Sequence, residues 1–365
     1  MTTGVQVRLC AFYACLLALP VGCPTTELEL LYFDQGWAMD QSSQLGPARL
    51  SVIFVTPNRY EIVQRTVRCL QQQTIRSQLE IIIVAPSEQE LFLDHADLEL
   101  FHSCKVVGVG LGRSAGDTRV AGLKQATAPI VAYIEDHAFP ANNKWAEALL
   151  LTHQELWGAV APTLRNGNPE SVVSWASFLL CFGAWSQPQS ATAFTDLPWR
   201  NVSYRRSVLL EYGDELADLF VAESRLHRDL ISRGYMLLLD PCTVLYHLNF
   251  TSLELMLQEQ FTVGRVFAGA RSKEWSMLRR MLYVGGGALI PIAKLSRLAP
   301  GLAGDLRRHR LLPQIIPSLT LGLLASCLGE WTGYLLGLGG SVNWELNKIE
   351  VSPDRQLLSG STYGG

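Results

Sequence analysis

Glu135-Asp136-His137 is the densest group of reactive side chains in the chain, and it follows directly on the apolar run Ile130–Ile134. Two carboxylates and an imidazole just past a strand-like segment are poor core material. Carboxylate oxygens suit hard cations such as Mg2+ or Mn2+, and imidazole moves the preference toward a transition metal. A cation held there would suit phosphate oxygens. Two further groups stand downstream: Glu223 in AESRLHRDL and His247 at the end of LYH. Glu223 is a candidate general base toward a hydroxyl. His247 is a candidate third ligand or phosphate contact. Arg119, in GDTRVAGLKQA, offers positive charge to a diphosphate. Each also has a plain reading: a solvated loop end, a helix-surface charge, a packing histidine and a surface ion pair.

These residues need a scaffold. LSVIFVT from Leu50 is a β-branched run of strand length, ended by Pro57-Asn58. A helix is expected over 61–73, with Val63, Val67 and Leu70 on one face. Leu79–Val84, Lys105–Val109, Ile130–Ile134 and Trp157–Pro162 read as further strands, and Tyr235–Leu239 and Thr243–Tyr246 as two more. Helices are expected at 118–126, 145–156, 206–212 and 220–232. Strands without alternating polarity, separated by helices, predict an α/β fold with a mainly parallel sheet covered on both faces. Ligands of open α/β sheets sit outside the carboxyl ends of the strands, where Thr56, Pro57, Asn58 and the 135–137 cluster fall. Trp175, Phe178, Phe182 and Trp185 are either core or the wall of an acceptor pocket.

The chain has 365 residues, 48% of them apolar and 17% charged, and a net charge of -3. That balance leans toward membrane contact and gives no reason to expect nucleic acid. None of the eight cysteines is in C-x-x-C spacing, so they read as reduced, in a cytosolic environment. Residues 1–48 read as a tail, with Leu9–Val21 as an alternative signal-like segment. Thr251 and Glu254 read as a capping box that opens an amphipathic helix toward Arg271. Bases outnumber acids between Arg265 and Arg310. Within that region Met281–Ala293 is too short to cross a bilayer, whereas Leu311–Gly329 is long enough. An interfacial or re-entrant first segment and one possible span, with the bases toward anionic lipid, satisfy the positive-inside tendency. The expected organisation is a tail at 1–48, an α/β domain at 49–250, membrane-associated helices at 251–340 and a tail at 341–365.

From Leu50 to His247 the order of motifs resembles the inverting glycosyltransferases of family 2, GT-A fold. VIFVTPNRYEIVQRTVRCLQQQT resembles the family's opening strand and helix, and LEIIIVAPS its second strand. GRSAGDTRVAGLKQA resembles its A-R-N-x-G segment, and AYIEDHAFP takes the place of its D-x-D segment. NVSYRRSVL resembles its acceptor-side segment, AESRLHRDLISRGY its catalytic E-D segment, and LYHLN its closing histidine. GEWTGYLLG is similar to C-terminal membrane-associated segments of bacterial members.

The resemblance implies a metal-dependent enzyme on the cytoplasmic face of a membrane. It would move a sugar from a nucleotide diphosphate (UDP or GDP) to a hydroxyl of a lipid-linked glycan or surface polysaccharide. Glu223 would be the base, and Glu135, His137 and His247 would hold Mn2+ or Mg2+. Thr56, Pro57, Asn58, Arg119 and Asp136 would meet the donor, and Trp199, Asn201 and Arg205 the acceptor. The family's second strand ends in two aspartates where this chain has Ala85 and Pro86, which leaves the base open. That departure keeps two alternatives in view, a non-catalytic scaffold binding a sugar nucleotide or partner enzyme, and a polyprenyl-phosphate glycosyltransferase.

Overall fold

The computed structural model describes residues 46–56, 60–89, 91, 98–153, 157–186, 192–194, 196–221, 223–292, 294–295 and 312–340. The apolar stretch 9–21, Pro57, Asn58 and the basic segment 296–311 lie outside the described residues.

Among the described residues nine strands make one mixed sheet. They are β1 (Leu50–Val55), β2 (Leu79–Ala85), β3 (Ser103–Gly108), β4 (Ile130–Tyr133), β5 (Ala138–Pro140), β6 (Trp157–Asn166), β7 (Thr192–Phe194), β8 (Ser203–Arg205) and β9 (Met236–His247). Their order is β3-β2-β1-β4-β8-β6-β9-β5, with β7 also paired to β9. The half β3-β2-β1-β4 is parallel throughout, as its unalternated apolar runs require. From β8 onward antiparallel pairs enter, and only β6 and β9 run parallel. The two strands expected around Pro241 are one, because β9 slips register where Pro162 pairs with Asp240 and Thr163 with Val244.

Among the described residues ten α-helices accompany this sheet: α1 (Tyr60–Gln71), α2 (Ala115–Gln125), α3 (Trp145–Thr152), α4 (Val172–Phe182), α5 (Arg206–Leu210), α6 (Leu216–Val221), α7 (Glu223–Ser232), α8 (Leu253–Arg271), α9 (Met277–Gly285) and α10 (Leu312–Leu336). One face of the sheet buries Val52, Phe54 and Ile81 against Val63 and Val67 of α1 and Phe178 of α4. The other buries Ile53, Ile82 and Val131 against Leu123 of α2 and Leu226 of α7. Gly122 lets α2 lie directly on the strands, since a Cβ there would stand 2.6 Å from a methyl of Ile53. Gln73 fastens α1 to the segment before α3: its Nε2 donates to Asn142 O at 2.8 Å and its Oε1 accepts from Ala146 N at 3.0 Å.

The C-terminal helices join the same core. Ser252, rather than Thr251, caps α8 by accepting from Leu255 N. Helices α8 and α10 touch backbone to backbone: a Cβ on Gly329 would lie 2.0 Å from Phe261 O, and one on Gly333 2.5 Å from Arg265 O. Ile315, Leu319 and Leu323 of α10 enter the core cluster with Met256 of α8 and Phe178 of α4. By length and composition Pro313–Leu336 could cross a membrane, yet 44% of its apolar window is buried in the protein. The expected span is therefore also a core helix along one face.

Candidate active site

Two strand registers assemble the site. Antiparallel pairing of β5 with β9 sets Ala138 opposite His247, which puts His247 beside His137. Antiparallel pairing of β8 with β4 sets Ala132 opposite Ser203, so the residues before β8 run past the end of β4. Arg200 and Asn201 thus meet Glu135.

Glu135, His137 and His247 bring one ligand atom each to within 4.8 Å of one another. The two Nε2 atoms are 3.0 Å apart, and His247 Nε2 is 2.9 Å from Glu135 Oε2. The other ring nitrogens are committed. His137 Nδ1 faces the Asp136 carboxylate at 2.7 Å, which only accepts. His247 Nδ1 faces Asn249 Oδ1 at 3.0 Å, while Asn249 Nδ2 donates to Asn166 Oδ1 and to His247 O. Both Nδ1 atoms therefore carry the proton, and both Nε2 lone pairs point inward with a carboxylate. Three lone-pair donors facing one another need positive charge between them. A proton satisfies one pair; a divalent cation satisfies all three, and histidines oriented through their outer nitrogens are typical of such sites. Burial alone would push the Glu135 carboxyl upward, but positive charge beside it, on His247 and His137 when their rings take a second proton and on Arg200, holds it well below the usual carboxylate range. Asn201 also grips Glu135, donating from Nδ2 to Oε2 at 2.7 Å and accepting from its backbone N at 3.1 Å.

Beside the cluster a cleft of about 200 Å3 opens at the carboxyl ends of β1, β2 and β4. Between β1 and β4 the chain order reverses direction across the sheet, the topological switch point where α/β folds receive ligands. Thr56, Arg119, Glu135, Asp136 and Arg200 contribute its polar lining. Val84, Ala85 and Pro86 make one wall apolar. Gly110 and Gly112, both at φ +77°, carry the backbone past it in a conformation that side chains resist.

Arg119 also lines a small cavity of about 30 Å3 on the side of Glu223. Arg119 Nη1 is ion-paired with Glu223 Oε1, and both side chains are buried. Glu223 Oε2 accepts the Arg200 backbone N–H at 2.8 Å, while Arg200 Nη1 lies 3.5 Å from Glu135 Oε1. Arg200 is the one non-glycine among the described residues with positive φ, at 64°. Its strained backbone thus joins the two carboxylates, as strain at functional sites commonly does.

Trp199 lines both the Glu223 cavity and a larger apolar chamber. Asn201 faces Glu135 instead of open space. Arg205 does not reach the cleft: β8 pairs it with Ile130, the start of β4, and its guanidinium donates to Trp157 O and His153 O.

No protein-family model matches the chain, and no curated protein does. Among solved structures it is similar to the mannosyltransferase PcManGT from Pyrobaculum calidifontis in complex with GDP-Man and Mn2+. The identity is 16% and the TM-score 0.47, over 81% of this chain and 90% of that one. It is also similar to S. aureus TarS 1–349, at 14% identity and a TM-score of 0.42 over 78% and 90%. For GalNAc-T7 with UDP, GalNAc and Mn2+ the values are 15% and 0.42 over 55% and 43%. At these identities and scores no residue's role transfers from them.

Sequence reasoning missed Arg200 and Asn249. Arg200 sits between two residues that it singled out, but its role follows from a backbone turn that no motif announces. Asn166 and Asn168 bind Asn249, which holds His247.

Proposed function

We propose that the chain is a metal-dependent, inverting glycosyltransferase of GT-A type, working at the cytoplasmic surface of a membrane. It would take a sugar from a nucleotide diphosphate and deliver it to a hydroxyl of a lipid-linked glycan or surface polysaccharide. The observation that carries this reading is the convergence of Glu135, His137 and His247 at the rim of the switch-point cleft.

In this reading Glu135, His137 and His247 hold Mn2+ or Mg2+, with Asp136 and Asn249 fixing the two imidazoles. The cation, when bound, supplies charge relief to the departing diphosphate. Arg119 adds positive charge from the cleft. Thr56 lines the nucleotide, and Asp136 meets its ribose side. Ala85 and Pro86 offer the base apolar contact only, so selectivity between UDP and GDP would be weak. Glu223 takes the acceptor's proton once Arg119 turns from it toward the donor, since Arg119 lines both cavities. Trp199 stands on the acceptor side. Asn201 acts through Glu135, and Arg205 is left to hold the α3–β6 connection.

Thermal unfolding with a panel of nucleotide sugars, with and without Mn2+, tests this. A donor at about 100 times its Kd should stabilise the protein by about 2.7 kcal/mol, and the gain should require the metal. No shift with any donor would sink the reading. The scaffold alternative draws on the closed Arg119–Glu223 pair and the apolar residues at 85 and 86. It predicts donor binding without turnover, and Glu223→Gln would then change no rate.

A further inference from the structure

A second cavity, of about 520 Å3, lies among α4, α8, α9 and α10. It meets the switch-point cleft at Glu135 and Arg200, which line both. Its volume is within the roughly 300–1,000 Å3 of sites that enclose small ligands. Near the junction its walls are aromatic: Phe182, Trp185 and Trp199, with Trp199 stacked on Phe267 at 6.4 Å. Leu179, Leu180, Val263 and Ile290 add aliphatic wall. Leu282 and Tyr283 of α9 also line it. That helix exposes Met277 (64%), Leu278 (73%) and Leu282 (67%) to the outside. One apolar path therefore runs from the reaction centre to an exposed apolar surface.

Polar side chains on this path have partners within the protein, including Glu259, whose Oε2 accepts from Ser177 Oγ at 3.4 Å. Lys294 pairs with Glu330 at 2.7 Å and donates to Ser326. Arg271 lies over the rings of Trp275 and Tyr283, at 5.2 and 5.0 Å. Gln260 donates to Cys181. A sugar chain needs hydrogen-bonding partners along its length, and these walls spend theirs on one another. An alkyl or isoprenyl chain needs only apolar contact.

We propose that this chamber takes the apolar chain of a lipid-borne acceptor, which enters from the α9 side and carries its polar head to Arg200 and Glu135. Its description as the acceptor site rests on the transferase reading above. Two positions can close it without touching the cleft. Gly286 lines the chamber with φ −77° and nothing within 4 Å of an added Cβ, so Gly286→Phe narrows it. Ile290→Asp places a charge on its wall.

The test uses a long-chain alkyl phosphate brominated along its chain, added to the full-length protein in a Trp331→Phe background. Bromine that enters the chamber quenches Trp185 and Trp199. Gly286→Phe and Ile290→Asp should each weaken the quenching titration about tenfold or more, while the thermal shift produced by nucleotide sugar and Mn2+ stays unchanged. No quenching, or quenching equal in all three proteins, overturns the proposal; equal quenching marks adsorption to the exposed helix faces. Chamber-dependent quenching without any nucleotide-sugar shift keeps the lipid site and removes the transferase reading alone.

Discussion

His137 and His247, 110 residues apart in sequence, present their Nε2 atoms to each other at 3.0 Å, each with its Nδ1 proton already spent on another side chain. The arrangement follows from the β5–β9 register and is incomplete without positive charge. His137→Ala and His247→Ala should each abolish stabilisation by Mn2+, measured as the shift in thermal midpoint with metal alone. Asn249→Ala leaves all three ligands but frees the His247 tautomer, and should weaken Mn2+ binding about 10–100-fold. A metal response unchanged in His247→Ala would show that the ion binds elsewhere, and no response in the parent would show that a proton holds the cluster.

The buried Arg119–Glu223 pair should behave as a unit. Breaking one partner of such a pair leaves an uncompensated charge and costs about 3–5 kcal/mol. Glu223→Gln and Arg119→Met should each fall near that range in urea unfolding. The double variant should cost clearly less than the sum of the two, a coupling that a double-mutant cycle reads directly. Turnover should be lost in Glu223→Gln while donor binding persists.

The scaffold was more legible in the sequence than the site. Unalternated runs such as Ile81–Ile83 and Ile130–Tyr133 read as buried strands, and both faces of each are covered in the fold. The acidic and imidazole residues stood out because nothing in a core would want them. What sequence could not convey was partnership. Whether Glu223 meets solvent or Arg119 depends on how α2 and α7 pack, and Asn201 looks identical in a chain whether it faces a ligand or another side chain. Arg205 illustrates the same limit: it is four residues from Asn201, yet an antiparallel strand carries it to the opposite end of β4. Likewise Glu330, the one acidic residue of α10, turns inward to Lys294.

His153 sets a pH limit on stability. It is 4% exposed; its Nε2 donates to Ser203 Oγ at 2.8 Å, and Ser203 in turn donates to Val160 O. Burial, with the nearby Arg205 charge, lowers its pKa from 6.5 to about 3. The unfolded chain therefore binds this proton first as pH falls. The stability it contributes is complete above pH 6.5 and declines from there toward pH 3, at up to about 1.4 kcal/mol per pH unit. His153→Gln keeps a donor for Ser203 but does not titrate. Urea unfolding over this acid range should give a shallower pH slope for the variant than for the parent.

Helix α10 has two apolar faces with different partners. Ile315, Leu319, Leu323 and Cys327 are buried in the protein, whereas Leu321, Leu324, Leu328, Trp331 and Leu335 are 38–52% exposed. The exposed set recurs at intervals of three and four, a single stripe along the helix. A helix whose other face is committed to a protein core can meet a bilayer only along its length, in the manner of an interfacial helix. The protein should therefore float with anionic vesicles. Leu324→Ser with Leu328→Ser should lower the partition coefficient, since each buried Leu side chain is worth about 1.5–3 kcal/mol. Single cysteines at Ile316 and Leu336, near its two ends, separate lying from crossing. Both should react with a membrane-impermeant thiol reagent added outside the vesicles; protection of one end only would mean that α10 leaves the core and spans.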